Sequence, residues 1–452
     1  MSRRAAAALL LASLVTTGCN KLAELAGAPT VTDVTIHVLP GILVGDSGQA
    51  HASATKSNGV TIPDLRPDAW RSSNPNVISI GNNGVMKAVS LGQATIFADF
   101  QGKTGSAVVT VGAGDARLGY ALADQESATS PYTPAASTRF NSSGGAITVT
   151  RTEVGIYTVT FAGLGRPVGG RDNVQVTGFA GGAVYCKTLF WDASGADLVV
   201  TVACVRRGGA NTDSKFTILA VGARAFGAST PLGFLRWIGD MTTTNSADTA
   251  ATSYNSAGGQ IDVGYVSTGN YATIFVGLGP QSGGAAGPVG FIVSGSGNNN
   301  QRCQLNAYDL VLQGGSTGVT CRGSNGGFAN SPFSMLWFTR GRAGFRYGYA
   351  MANNTGNTTG YTPVREASAN SSGGAITAKK TATGTYQIVF AGLARPAGAT
   401  EGVQVSVFGP GAAFCTLASW GNSGANDLVA NVSCWDTFDA PLDAIFNVLI
   451  VQ

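Results

Sequence analysis

The sequence predicts an all-β chain of four tandem β-sandwich domains. Three observations predict it: a glycine-rich, charge-poor composition, short alternating apolar runs between turn residues, and an internal triplication. Of 452 residues, 64 are glycine, 12% are charged and 44% are hydrophobic. The hydrophobic content is enough for packed cores, so the glycines signal turns rather than disorder. Net charge is only +4, and no Lys/Arg run occurs outside the first few residues, so there is no electrostatic case for nucleic acid or an anionic lipid surface.

Arg3 and Arg4 precede the apolar run from Ala5 to Val15, and Thr16, Thr17 and Gly18 follow before Cys19. This is the layout of a secretory signal peptide over 1–18, too short to span a bilayer. Small residues ending at a cysteine resemble the lipobox of bacterial lipoproteins, although Thr16 departs from the usual leucine. The resemblance implies cleavage before Cys19, diacylation of its thiol, and a lipid-anchored tether over 19–29. Ordinary signal-peptidase cleavage, giving a free secreted protein, is the competing expectation. The paired arginines lack the rest of a twin-arginine export motif.

Seven cysteines are an odd number for an exported chain. Setting Cys19 aside leaves Cys186, Cys204, Cys303, Cys321, Cys415 and Cys434, with spacings of 18, 18 and 19 within successive pairs. Three disulfides in an oxidising compartment follow. There is no C-x-x-C cluster for zinc, and the reading implies neither metal nor cofactor.

Short strands at Val34, Ile36 and Val38, at Ala94, Ile96 and Ala98, and at Val108 and Val109 alternate between turns. The segment from Trp70 to Ile80, with Asn74-Pro-Asn-Val-Ile-Ser-Ile, and Asn83-Gly-Val-Met-Lys-Ala-Val-Ser-Leu-Gly-Gln-Ala-Thr-Ile after it, resemble the bacterial Ig-like domain, group 2. The resemblance covers 30–112 and implies a stalk module of a bacterial surface protein, with Trp70 as a core anchor.

The remainder repeats three times. Asn141-Ser-Ser-Gly-Gly returns as Asn255-Ser-Ala-Gly-Gly and Asn370-Ser-Ser-Gly-Gly, and Gly155-Ile-Tyr-Thr-Val-Thr-Phe-Ala-Gly-Leu has counterparts at Gly269 and Gly384. Period two puts Tyr157, Val159 and Phe161 on one face, as it does Tyr386, Ile388 and Phe390. Closing strands are predicted at Phe216 to Val221, Phe333 to Phe338 and Ile445 to Val451. The units are placed at 116–222, 223–341 and 342–452, each the size of a β-sandwich able to fold alone. They resemble a repeated domain of exported bacterial proteins of unknown function, which implies no activity.

Gly195 and Gly424 lie midway between the cysteines of their units, so a central turn brings each pair opposite on neighbouring strands. Each bridge should stabilise its unit by about 3 kcal/mol in the chain-entropy picture. Leu198, Val200, Val202 and Cys204 share a face, which turns the bridge into the core. Five residues after each first cysteine stands an aromatic: Trp191, Tyr308 and Trp420. On a straight strand these rings face away from the cysteine, toward solvent and a stacked sugar; a bulge would bury them instead.

Both histidines, His37 and His51, precede the repeats, so a Ser-His-Asp or Cys-His site in the repeats is excluded. Gly314-Gly-Ser-Thr-Gly matches a nucleophile elbow but occupies a predicted hairpin tip. Asp197 matches Asp427 and Asp213 matches Asp443, with Gly314 and Asn330 in the middle unit. Such carboxylates beside turns commonly accept backbone hydrogen bonds, and a carboxylate-dependent carbohydrate enzyme is the minor alternative. The expectation is a non-catalytic lipoprotein exported to the outer membrane or cell surface. The Ig-like base would carry outward-projecting repeats that bind a polysaccharide or surface protein, or serve as a structural spacer.

Overall fold

The computed structural model describes residues 29–452 except 39–40, 113–114, 181, 228–229, 239–244, 247–250, 279–287, 312–313 and 340–344. The expected signal peptide over 1–18 and Cys19 lie outside the described residues. The architecture is all-β. In the first domain, strands Val31–His37, His51–Lys56 and Thr61–Leu65 form one sheet, and Gly41–Leu43, Lys103–Gly112, Gly92–Phe100 and Ala69–Ser72 a second. Between them the alternating Ala94, Ile96 and Ala98 pack with Val34, Ile78, Met86 and Trp70. Trp70 is buried, as an anchor should be.

Each repeat is a sandwich of two four-stranded antiparallel sheets. In repeat 1 the cysteine sheet runs Ile147–Glu153, Ile156–Phe161, Asp197–Val205, Tyr185–Ser194, and the other sheet Arg139–Asn141, Leu118–Ala123, Lys215–Gly222, Asp172–Phe179. The strand orders recur in repeats 2 and 3, with a fifth, two-residue strand, Asn245–Ser246, at the edge of the cysteine sheet in repeat 2. Tyr157, Val159 and Phe161 pack with Leu198, Val200, Val202 and Cys204 in one core. The sheets approach so closely over Gly119 that a Cβ there would meet Phe161 and Leu164 at 2.8 Å. Gly233 and Gly348 hold the same place against Phe275/Leu278 and Phe390/Leu393, so all three positions need glycine.

The repeated Asn is a loop staple. Asn141 Nδ2 donates to the carbonyls of Gly145 (3.1 Å) and Ala162 (2.9 Å), and Asn255 and Asn370 repeat both bonds.

The units are not independent beads. Strand Asp172–Phe179 of repeat 1 meets the cysteine strand Phe414–Ser423 of repeat 3 in parallel, pairing Phe179 with Leu417. Strand Gly402–Phe408 of repeat 3 meets Arg302–Val311 of repeat 2 through Phe408 and Leu305, and Ser296 of repeat 2 bridges to Thr188 of repeat 1. Equivalent backbone bonds close each seam: Ala180 N–H to Leu417 O (2.9 Å), Gly409 N–H to Leu305 O (2.8 Å) and Gly297 N–H to Thr188 O (3.1 Å). The result is a closed ring with a pseudo-threefold axis.

Down that axis the packing changes character. At one end Leu118, Tyr120, Val221, Phe234, Phe338, Tyr349 and Val451 from all three repeats share a core with Leu43 of the first domain. Arg224 Nη2 donates to Asp46 Oδ1 at 2.7 Å, and Tyr254 donates to the same oxygen, fastening the first domain to this end.

Midway the seams are polar. Asn173 and Gln175 donate to Ser334 Oγ, both at 2.9 Å, across the seam between repeats 1 and 2. Thr177 and Gln404 bond at 2.8 Å across that between repeats 1 and 3. At the third seam Ile292 stands where the others have Gln175 and Gln404, and Asn447 Nδ2 is left without a partner.

The shared core stands against the expectation that each unit folds alone, because an isolated repeat would expose both an apolar end and unpaired polar groups. We expect one calorimetric unfolding transition for the three repeats. Phe338→Ala should lower that single transition, at a cost of about 3–5 kcal/mol. Three separable transitions in the same scan would show independent domains.

Candidate functional site

The three disulfides join Cys186–Cys204, Cys303–Cys321 and Cys415–Cys434, each across a directly opposed strand pair. Gly195 and Gly424 take φ of +61° and +65° at the hairpin tips, conformations that favour glycine. In the middle repeat Gly314 opens the return strand Gly314–Arg322 opposite Val311, so the elbow-like motif belongs to a hairpin.

The aromatic trio is not arrayed toward solvent. A bulge interrupts each cysteine strand, between Thr188 and Phe190, Leu305 and Ala307, and Leu417 and Ser419. One extra residue flips the alternation, returning the fifth residue to the cysteine's face. Trp191 is consequently 1% exposed, and Tyr308 and Trp420 are half-buried against their cores.

Each ring also meets a side chain of the neighbouring repeat. Arg236 stacks over Trp191 at 4.5 Å, Phe179 meets Trp420 at 5.2 Å and Phe408 meets Tyr308 at 6.0 Å. The rings lock the seams, which corrects their assignment as ligand platforms.

Trp191 Nε1 donates to Asp172 Oδ1 at 2.9 Å, and Arg117 and Arg166 pair with that carboxylate. Trp420 donates to Glu401, which Arg395 pairs at 2.9 Å. Burial pushes the Glu401 carboxyl up, against the lowering by Arg395 and Trp420. Repeat 2 replaces this acid-centred network with rings: Tyr308 packs on Phe291, which meets Trp337.

The matching carboxylates serve turns. Asp213 accepts from the Gly155 N–H at 2.7 Å and pairs with Arg151, and Asp443 accepts from the Gly384 N–H at 2.8 Å and from Lys380. Asn330 of repeat 2 accepts the equivalent Gly269 N–H at 2.7 Å. Asp197 and Asp427 accept the N–H groups of Gly163 and Gly392. His37 contacts Ser53 on an exposed strand, and among the described residues no His/Cys/Asp/Glu group could hold a metal ion.

Sequence reading missed the far end of the axis, away from the first domain. Tyr185, Arg302 and Phe414, equivalent positions before the three first cysteines, converge there. The Arg302 guanidinium lies 5.8 Å from the Tyr185 ring and 5.1 Å from that of Phe414. They border a cavity of about 50 Å³ lined also by Thr177, Lys187, Ser294, Gln304 and Ser406. Lys187 is 1% exposed, and its Nζ donates to Asn299 Oδ1 at 2.6 Å. Burial drives its amine down to about 7 and lowers Arg302 as well. The available signal was strand alternation, which turns residues flanking a core-facing cysteine away from their own core.

Around the mouth, loops of all three repeats meet. Arg207 lies over Phe438 at 4.9 Å, Arg322 lies over Phe328 at 4.0 Å, and Gly326 packs against Thr437. Phe438 and Phe328 remain exposed.

No protein-family model matches the chain, and no curated protein matches it. Among solved structures, domains 4 and 5 of the S-layer protein SbsC are similar at 17% identity, over 42% of this chain and 96% of that one, with a TM-score of 0.14. Among the described residues no helix is long and apolar enough to cross a membrane. The three disulfides are of the kind found in exported proteins.

Trp191→Ala should cost about 3–5 kcal/mol in urea unfolding; a loss below about 1 kcal/mol would place the ring outside the core. The Arg151 guanidinium, against a smaller effect of burial, holds Asp213 below the usual carboxylate range. For Asp443 burial acts upward but is outweighed by the Gly384 N–H and Lys380. Both contributions are therefore present above the unfolded value of about 3.9 and are lost as pH falls through the depressed folded values. The stability gap between the wild type and Asp213→Asn or Asp443→Asn should close below about pH 4 in acid titrations of unfolding.

Proposed function

We propose that this chain is a non-catalytic envelope lipoprotein, anchored through Cys19, whose Ig-like group 2 module is a base. Its three repeats then act as one adhesion or ligand-binding head. The observation that carries the reading is the polarity of the assembly. The first domain docks at one end of the axis, through Leu43 and Asp46, and loops of all three repeats gather at the other.

That end displays Arg207 with Phe438 and Arg322 with Phe328. Paired cation and ring surfaces suit a polysaccharide or a surface protein. The loops differ in sequence, so they form a single composite surface rather than three equivalent weak sites. The absence of chemistry is supported by the carboxylates, which are occupied by backbone N–H groups and cations. Burial of Trp191 favours a second reading, a purely structural envelope component.

The test is retention of the mature chain, disulfides intact, by insoluble polysaccharides, peptidoglycan and whole cells. Phe328→Ala with Phe438→Ala should lower retention on the order of tenfold, with the melting temperature nearly unchanged. Undiminished retention by the double variant would move the binding surface elsewhere, and no retention of the wild type on any surface would favour the structural component.

A further inference from the structure

We propose that the axial cavity is a binding site for a small oxyanion of sulfate or phosphate size, held by Arg302, Lys187 and Ser406. The inference does not rest on the adhesion reading. Its ground is two basic side chains inside the protein with no acidic partner. Lys187 and Arg302 are 1% and 7% exposed and line one cavity. Among the described residues neither makes an ion pair, and none of the lining residues is acidic. Their protein partners are neutral: Asn299 Oδ1 for Lys187, and the Ala412 carbonyl for Arg302 at 2.5 Å. Buried cations are otherwise paired with carboxylates or bind anions.

Donors also remain unused. Arg302 Nε and Ser406 Oγ are buried without a partner, and Lys187 Nζ has N–H groups beyond the one given to Asn299. Equivalent buried groups elsewhere in the ring are satisfied: Thr177 and Ser294, at the level of Ser406, bond Gln404 and Gln175. A water needs about 10–15 Å³, so about 50 Å³ admits one tetrahedral oxyanion. An anion there would accept from a guanidinium, an ammonium and a hydroxyl, the charge-assisted donors that bind oxyanions best. Arg322 pairs in register with Arg302, and the loops at this end also carry Arg206 and Arg207, with Asp436 and Asp439 as acids among them, so the cations outnumber the acids there.

The pseudo-symmetry supplies the variants. Arg302→Phe installs the residue that repeat 3 carries at this position, and Lys187→Gln the residue of repeat 2. Ser406→Ala removes only the unused hydroxyl. Titration calorimetry of the mature chain with inorganic phosphate and with sulfate, at ionic strength fixed with chloride, should give one site per chain. Arg302→Phe should weaken binding about tenfold or more, and the gain in melting temperature produced by the anion should disappear with it. Ser406→Ala should weaken binding while leaving the anion-free melting temperature unchanged, which keeps the test decisive if the other variants fold poorly. A wild type that binds neither anion, or an Arg302→Phe or Ser406→Ala protein that binds with wild-type affinity, overturns the proposal. A rise in melting temperature equal in wild type and variants would be general salt exclusion and would also overturn it.

Discussion

The structure depends on three short parallel pairings at the seams between repeats. Each comprises little more than one residue pair and one backbone hydrogen bond, yet together they convert a linear array into a ring. Edge strands are the exposed liability of any sandwich. Here the edge of one sheet in each repeat is covered by the cysteine strand of a neighbour. The bulge in each cysteine strand follows immediately after the pairing. It turns the strand away from the seam and swings the aromatic inward, so the ring closure and the burial of Trp191 have one geometric cause.

Packing along the axis divides the labour. The apolar end supplies adhesion between repeats and seats the first domain, a contribution that grows with buried area and is indifferent to register. The polar middle supplies discrimination: Asn173, Gln175 and Ser334 satisfy one another only in a single alignment of strands. A slip by one residue would bury unpaired amides, each a loss of roughly 1–3 kcal/mol. The seam with Ile292 lacks such a device, and its unpartnered Asn447 amide marks where the pattern has been given up.

Much of a single repeat was legible in sequence, because its evidence is local. Period-two alternation gave the face of Tyr157, Val159 and Phe161, the midpoint glycines gave the hairpins, and the cysteine spacing matched the observed bridges. The association of repeats is encoded less plainly. Phe333–Phe338 and Ile445–Val451 are buried on both faces. Their nearly continuous apolar runs are what strands covered on two sides look like. Read as closing strands they gave the right limits but not the second covering layer. The bulge left no residue-type signature, so the fate of the aromatic trio could not be read from strand spacing. Alternation does turn Tyr185, Arg302 and Phe414 away from their own cores, but their convergence depends on contacts between repeats that no local pattern records.

The axis has a consequence that follows from covalent linkage. A homotrimer places three copies of one residue wherever a side chain reaches its symmetry axis, so an axial arginine would bring three guanidinium groups together and be driven apart by repulsion. With the three repeats on one polypeptide, Arg302 can stand alone between Tyr185 and Phe414, its charge held over two rings. Tandem duplication thus freed the most crowded positions in the molecule from threefold identity, and one chain can hold an asymmetric centre inside a symmetric frame.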